Sequence, residues 1–278
     1  MNNKFELCAF ADEAADSLGG QIAALKRNNI PYLELRGVDG KNVADITISE
    51  AEDIAKELAA AGIKVWAIGS PIGKVDITSP FENELKRLEH IIALCKIFSC
   101  VNVRMFSFFT NEFDKYRDEV IFRLNKMCEI ANENGVNLVH ENERGIYGDT
   151  AARVLDLLSN VPKLNFVFDP ANFIQAGEDI NEAINSLLHK AAYVHIKDSL
   201  KETHQIVPAG EGSGEIVEII KRLRKTGKEY VLTLEPHLKA FTSLKQIDSH
   251  ELKNIYEFNS QDESFDFAAK ALKKCLAI

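Results

Sequence analysis

The sequence predicts an α/β fold in which the whole chain closes into a (β/α)8 TIM barrel. Three observations carry that expectation. Eight short runs rich in Val, Ile, Leu and Phe alternate with eight segments of helical period along the full chain. Most of the runs lack apolar–polar alternation, as strands buried on both faces should. The first run leads into Phe10-Ala11-Asp12-Glu13 rather than a GxGxxG turn, so the signature of an open dinucleotide-binding sheet is missing.

In chain order the expected strands are Phe5–Phe10, Tyr32–Arg36, Lys64–Ile68, Val101–Phe106, Asn137–Glu141, Asn165–Asp169, Tyr193–Lys197 and Tyr230–Glu235. The expected helices are Gln21–Asn28, Ser49–Ala61, Glu82–Phe98, Glu112–Asn134, Ala151–Leu158, Asn181–His189, Ile216–Lys225 and Phe265–Lys274. The first two carry apolar residues at three-to-four spacing, and Ser49 followed by Asp53 and Glu57 reads as a helix start with acids in its early turns. Asn28-Asn29, Gly62, Gly135 and Gly227 stand where left-handed residues close helices. No linker, charge block or low-complexity segment interrupts residues 1–278, so one domain is expected. The long polar stretch 238–264, after the eighth strand, reads as a lid or binding loop, or else as a peripheral decoration.

A chain of 278 residues with 46% hydrophobic and 27% charged residues can bury a core without disulfides or a structural metal. Its net charge of −9 argues against a nonspecific grip on nucleic acid, which depends on neutralising phosphates. No apolar run approaches the roughly 18–20 residues of a membrane span. The opening MNNKFELCAF lacks the pattern of a signal peptide. Cys8, Cys95, Cys100, Cys128 and Cys275 are odd in number without CxxC spacing, so free thiols and a cytoplasmic location are expected.

Barrel active sites lie at the C-terminal ends of the strands. Here the fifth strand ends in Glu141, the sixth in FVFDP with Asp169, the seventh in YVHIKD with His195, and the eighth in LTLEPH with Glu235. Side chains alternate faces with period two, so Val139 goes with Glu141, Val167 with Asp169, Tyr193 with His195 and Lys197, and Thr233 with Glu235. One choice of face gathers all four. A carboxylate after a strand, taken alone, is usually a helix cap, and a histidine in an apolar run is usually core. Four in register on successive strands point instead to a metal site.

Two Glu, one Asp and one His form a hard, oxygen-rich set that suits Mn²⁺ or Mg²⁺ first, with Co²⁺ and Zn²⁺ compatible. Asn142, Lys197, Asp198 and His237 adjoin these residues and suit a supporting layer. His140 lies on the face opposite Glu141, and parity makes it the least favoured ligand.

Glu141, Asp169, His195 and Glu235 resemble the ligand set of the xylose-isomerase-like barrel superfamily, in its sugar (phosphate) isomerase/epimerase branch. Further stretches match the branch: FADE at Phe10–Glu13, LELR at Leu33–Arg36, GSPIGKV at Gly69–Val75, FDPAN at Phe168–Asn172, VHIKD at Val194–Asp198 and VPAGEGSGEI at Val207–Ile216. The resemblance covers nearly the whole chain. It implies a divalent-metal-dependent isomerase or epimerase that acts on a small carbohydrate by proton transfer through a metal-stabilised enediolate. It casts Glu141 and Glu235 as acid/base residues and Asp169 and His195 as ligands alone. A homo-oligomer is expected by analogy with the branch.

Arg36, Lys74, Arg104, Arg144 and Lys197 are candidates for substrate oxygens or a phosphate, and Glu13, Glu34, Glu143 and His237 for hydroxyls. Asn172 joins the substrate-binding set, and Tyr147 and Trp66 could wall the site, although Trp66 also reads as core. Two departures weigh against a ketose 3-epimerase. That group carries a histidine three residues after the ligand Asp, where this chain has Asn172, and an E-x-x-N-R-x-E pattern that ENERGIYGD does not reproduce. The alternative is a dehydratase of the inosose or dehydroshikimate type. An endonuclease IV-like phosphodiesterase needs many histidine ligands, which seven histidines on an acidic chain do not supply. A barrel that only binds a carbohydrate would not need two opposed glutamates.

Overall fold

The computed structural model describes residues 5–242 and 256–278. Eight strands, β1 (Phe5–Ala9), β2 (Tyr32–Leu35), β3 (Lys64–Gly69), β4 (Asn102–Met105), β5 (Asn137–Glu141), β6 (Asn165–Phe168), β7 (Tyr193–Ile196) and β8 (Tyr230–Leu234), follow the expected runs closely. They close as a barrel in the order β1-β8-β7-β6-β5-β4-β3-β2, with every neighbouring pair parallel. Parallel strands need a crossover between them, and the helical segments provide it. These are α1 (Leu18–Arg27), α2 (Ile48–Ala61), α3 (Phe81–Phe98), α4 (Phe113–Glu133), α5 (Ala151–Asn160), α6 (Pro170–Gln175), α7 (Ile180–Leu187), α8 (Ile216–Thr226) and α9 (Gln261–Leu276).

Local chemistry corrects two expected helix starts. α1 begins at Leu18 rather than Gln21, because the Ser17 side chain accepts from the Gly20 N–H and caps it. α2 begins at Ile48, ahead of Ser49, because Thr47 and Glu50 form a reciprocal capping box. Its other end turns left-handed at Gly62, φ 75°, as the sequence suggests. α6 was not expected. Its six residues are too few to show a period, yet Pro170 stands at its first turn and the Asp169 carboxylate accepts from the Asn172 N–H.

Two apolar layers result from the period of two. One lies between sheet and helices, with Leu33, Ile68, Val103, Leu138, Phe166, Val194 and Leu232 facing out of the barrel. The other fills the barrel near the N-terminal strand ends, where Cys8, Ala67, Val139, Val167, Tyr193 and Val231 meet Tyr32 and Trp66. Trp66 is an extra residue in the ladder: Leu33 pairs with Val65, and Glu34 with Ala67. The bulge lets its indole meet Tyr32 and Tyr193 edge-on, at 6.0 and 6.1 Å between ring centroids. Trp66 thus belongs to the barrel floor rather than to a wall of the mouth.

His140 points into the outer layer, as parity requires. Its Nε2 lies 2.9 Å from Ser107 Oγ, and a β-carbon on Gly148 would come within 2.2 Å of its ring. All five cysteines are free and buried. No described helix is long and apolar enough to cross a membrane. Of the stretch expected as a lid, Leu238 and Phe241 are buried, and positions 243–255 lie outside the described residues.

Candidate metal centre

Glu141 is the last residue of β5, Asp169 and Glu235 directly follow β6 and β8, and His195 sits in β7. One ligand atom from each falls within 4.8 Å of the others, and all four residues are buried. His195 Nδ1 is 3.1 Å from Glu141 Oε1 and 3.2 Å from Glu235 Oε2. Asp169 divides its carboxylate: Oδ1 accepts from the Asn172 N–H at 2.9 Å and starts α6, while Oδ2 faces Lys197 Nζ at 2.9 Å.

The electrostatics of this layer suit a cation. Asp12, Glu13, Glu34, Glu141, Asp169 and Glu235 are all buried there, against Arg36, Arg104 and Lys197. Asp169 Oδ2 and Glu235 Oε2 are sealed from solvent, yet neither accepts a well-aligned hydrogen bond among the described residues. Lys197 and His195 face them as ion contacts, but buried carboxylate oxygens without aligned donors are costly. A divalent ion is the group that this hard donor set, with its single imidazole, is chemically fitted to hold.

The titration of the groups follows from the same crowding. Burial pushes Asp169 up to about 7, with the charges of Glu141 and Glu235 adding to it and Lys197 opposing. Burial acts the same way on Glu141, but the His195 and Arg104 charges prevail and bring it down to about 2. Glu235 is held well below the usual carboxylate range, where Lys197, His195 and His237 outweigh its burial. His195 is driven well above an ordinary imidazole: burial opposes this, but Glu141 and Glu34 overcome it.

Arg36 is consumed by the protein. It forks onto Asp12 at 2.9 Å through both Nε and Nη2, reaches Glu13 Oε1 at 3.1 Å, and donates to Glu235 Oε1 at 2.9 Å. Its guanidinium lies between the rings of Phe10 and Phe241, 4.2 and 4.8 Å from their centroids. With four of about five N–H donors spent, it braces Glu235 rather than presenting a free charge. Arg104 Nε makes an ion contact with Glu141 Oε2 at 3.1 Å, and its Nη1 donates to the Ser70 carbonyl at 3.0 Å. Asn172 Nδ2 donates to Glu141 Oε1 at 3.2 Å and to the Asn142 carbonyl at 2.9 Å. Asn142 in turn clamps Asp169, accepting from its N–H at 3.0 Å and donating to its carbonyl at 2.9 Å.

Lys197 Nζ lies 3.7 Å from Glu235 Oε2 as well as beside Asp169. Lys74 and Glu143, paired at 3.2 Å, are more exposed, with side chains 10% and 17% accessible. His237 takes a left-handed backbone, φ 46°; its N–H donates to Glu13 Oε2 at 2.6 Å, and its Nε2 lies 3.3 Å from Glu235 Oε1. Arg144 is half-buried in the same turn as Glu143.

Three expectations are displaced. Tyr147 faces the helices, where its hydroxyl donates to Asp156 Oδ2 at 2.8 Å, so it does not wall the site. Asp198, expected beside the ligands, instead organises the VPAGEGSGEI loop. Its carboxylate accepts from the N–H groups of Ser199, Gly210, Gly212 and Gly214 at 2.8–3.0 Å. A β-carbon at Gly212 would lie 2.2 Å from Asp198 Oδ1, so the loop needs glycine there. Those amides are thereby used internally. Glu34, expected to meet hydroxyls, lies behind His195 with Oε2 3.3 Å from Nε2. Asp12, the partner of Arg36, was missed altogether, although it adjoins Glu13 in the FADE stretch.

The family described as xylose isomerase-like TIM barrel matches residues 22–257. Over 82 residues the chain is 32% identical to inosose dehydratase from Clostridium perfringens, which covers 28% of this chain and only 27% of that relative's length. Among solved structures, the IOLI protein with a binding zinc atom is 16% identical over 98% of both chains, with a TM-score of 0.76. D-Allulose 3-epimerase from Methylomonas sp. is 16% identical over 99% of this chain and 98% of that one, with a TM-score of 0.72. At such identities the two structures share the fold.

Proposed function

Because the chain belongs to the xylose isomerase-like TIM barrel family, we propose that it is a divalent-metal-dependent isomerase or epimerase of a sugar or sugar phosphate. One observation carries this reading. Glu141, Asp169, His195 and Glu235 converge in a buried layer where carboxylate oxygens lack aligned partners. When bound there, a divalent ion, Mn²⁺ or Mg²⁺ by the hardness of the donors, supplies Lewis-acid polarisation of the substrate carbonyl.

Glu141 and Glu235 exchange the proton on carbon. The cations around both carboxylates favour their charged form, and a base works best near the operating pH, so substrate binding must raise them. Each is held in one orientation, Glu141 by Arg104 and Asn172, Glu235 by Arg36 and His237. That fixed geometry favours reaction over reorientation. Asp169, with Oδ1 tied to the start of α6, takes the plain-ligand role that the family resemblance gives it. It serves as an anchor. Lys197 is the cation for a developing oxyanion, and Lys74 with Glu143, being more accessible, meets the far hydroxyls or phosphate of the substrate. Five free, buried thiols support a reducing compartment such as the cytoplasm.

Dehydration is the second reading. Asn172 occupies the position where ketose 3-epimerases carry histidine, and a short stretch of the chain resembles inosose dehydratase. If a hydroxyl leaves from the carbon next to the one deprotonated, the same proton abstraction expels water.

The deciding experiment incubates the protein with Mn²⁺ and a panel of ketoses, ketose phosphates, inososes and dehydroshikimate in D₂O, followed by NMR. Deuterium at a product carbon with the formula otherwise unchanged establishes isomerisation. Loss of water establishes the second reading. A panel with no metal-dependent product on any member rejects both, and full activity of Glu235→Gln on the true substrate rejects the acid/base assignment.

A further inference from the structure

The geometry points to Glu34 as the positioning residue of the metal centre, the group that makes Nδ1 of His195 the ligand atom. This rests on the metal-site reading above. His195 is fully buried, and its two ring nitrogens face different partners. Nδ1 faces Glu141 and Glu235 at 3.1 and 3.2 Å. Nε2 faces the Glu34 carboxylate, 3.4 Å from Oε1 and 3.3 Å from Oε2. Glu34 is itself fully buried, and the Tyr193 hydroxyl donates to its Oε1 at 2.9 Å.

An imidazole that ligates a metal through one nitrogen carries its only N–H on the other, and the acceptor of that N–H fixes tautomer and ring orientation. Here no solvent reaches the ring, so Glu34 is the acceptor. A carboxylate can accept from the Tyr193 hydroxyl and from Nε2–H together, having no proton of its own to misdirect. The ring is also confined edge-on by Phe10 and Tyr193, at 5.2 and 5.5 Å between centroids.

The connection crosses the barrel. Glu34 belongs to β2, whereas all four candidate ligands come from β5 to β8 or the residues just after them. Tyr193, beneath Glu34, packs on Trp66 at the floor. The half of the barrel that supplies no ligand therefore sets the angle of the one nitrogen ligand, and the Tyr193 hydroxyl helps to hold Glu34. Glu34 touches no reacting atom in this arrangement; it acts through His195.

The test uses metal binding rather than turnover. Calorimetric titration of the metal-free full-length protein with Mn²⁺ compares the parent with Glu34→Gln and Tyr193→Phe. Circular dichroism and thermal melting check the fold of each. Glu34→Gln is expected to weaken the ion about 10- to 100-fold, and Tyr193→Phe to weaken it less, with folds intact. In parallel, ¹⁵N NMR of the Zn²⁺-loaded parent should show His195 metallated on Nδ1 and protonated on Nε2.

A parent that binds no divalent ion removes the metal reading and this inference together. A parent that binds, with Glu34→Gln within twofold of it, overturns the inference alone. Should Glu34→Gln fail to fold, an unchanged affinity in Tyr193→Phe overturns it, and so does an Nε2-metallated His195 in the parent.

Discussion

At the floor of the barrel, Val139, Val167, Tyr193 and Val231 fill the interior with apolar surface. At the mouth, two residues further along three of those strands, stand Glu141, Asp169 and His195, and Glu235 follows four residues after Val231. Both layers are shut from solvent. The floor gains stability from that exclusion, at roughly 25 cal/mol per Å² of apolar area. The mouth loses by it, because desolvating carboxylates is expensive unless cations answer them. One strand pattern thus builds a stabilising layer and a costly, charged one. The expectation is a division of labour: changes at the mouth alter chemistry, and changes to the apolar groups of the floor alter stability, while the Tyr193 hydroxyl reaches up to Glu34 and belongs with the mouth.

Two buried histidines among the described residues make the same contrast on opposite faces of the sheet. His140 and His195 are both sealed from solvent. His140, among outer-layer apolar groups, is pushed down to about 3 by burial, with only Glu141 opposing. His195, facing Glu34 and Glu141, is raised despite its burial. Neighbouring charge decides the direction, and burial alone does not.

The most severe break in this division would come from removing the ion. Treatment with EDTA should lower turnover at least about 10³-fold, with recovery on adding Mn²⁺; activity that survives chelation would end the metal assignment. Next in size, Glu141→Gln and Glu235→Gln should each reduce kcat about 10²- to 10⁴-fold while the circular dichroism spectrum stays unchanged. A variant that unfolds instead would mean that the mouth carries stability after all.

At the floor, Trp66→Ala should destabilise the protein by about 3 kcal/mol in urea unfolding, with the Mn²⁺ affinity held within about twofold. If the affinity fell in step with stability, the two layers would not be separable. The smallest effect concerns pH. The value for His140 lies near 3, below the ordinary 6.5, so the unfolded chain takes up a proton that the folded one refuses. Stability is then fully present above pH 6.5 and is lost as pH falls from there toward 3. This group alone should make the protein about 2 kcal/mol less stable at pH 5 than at pH 8. His140→Gln, which keeps an acceptor for Ser107, should flatten that slope, and an unchanged slope would remove His140 as its source.

Much of the molecule was legible in the amino-acid order. The strands could be read because parallel strands buried on both faces are uniformly apolar, and the helix ends at Gly62 and Gly227 because a left-handed turn selects glycine. The convergence of Glu141, Asp169, His195 and Glu235 followed from strand ends and parity. The helix start misplaced at Ser49 was a local error, since the Thr47–Glu50 box is visible in the sequence. The inward direction of Glu34 was not legible, because a period of two does not say which face is inside.

The amino-acid order by itself determined the class of fold, the face of each strand and the residues at each strand end, because these depend on periods of two and 3.6 within single elements. Only the tertiary structure decided who answers whom across the barrel. Arg36 could be read as a free cation until closure brought Asp12, Glu13 and Glu235 around it. Glu34 could be read as a substrate contact until β2 came to face His195 of β7. Asp198 could be read as a neighbour of the ligands until a glycine loop 12 to 16 residues later folded onto it. Such pairings join distant residues, 199 positions apart for Arg36 with Glu235, and the distance between them is set by the circumference and stagger of the closed sheet.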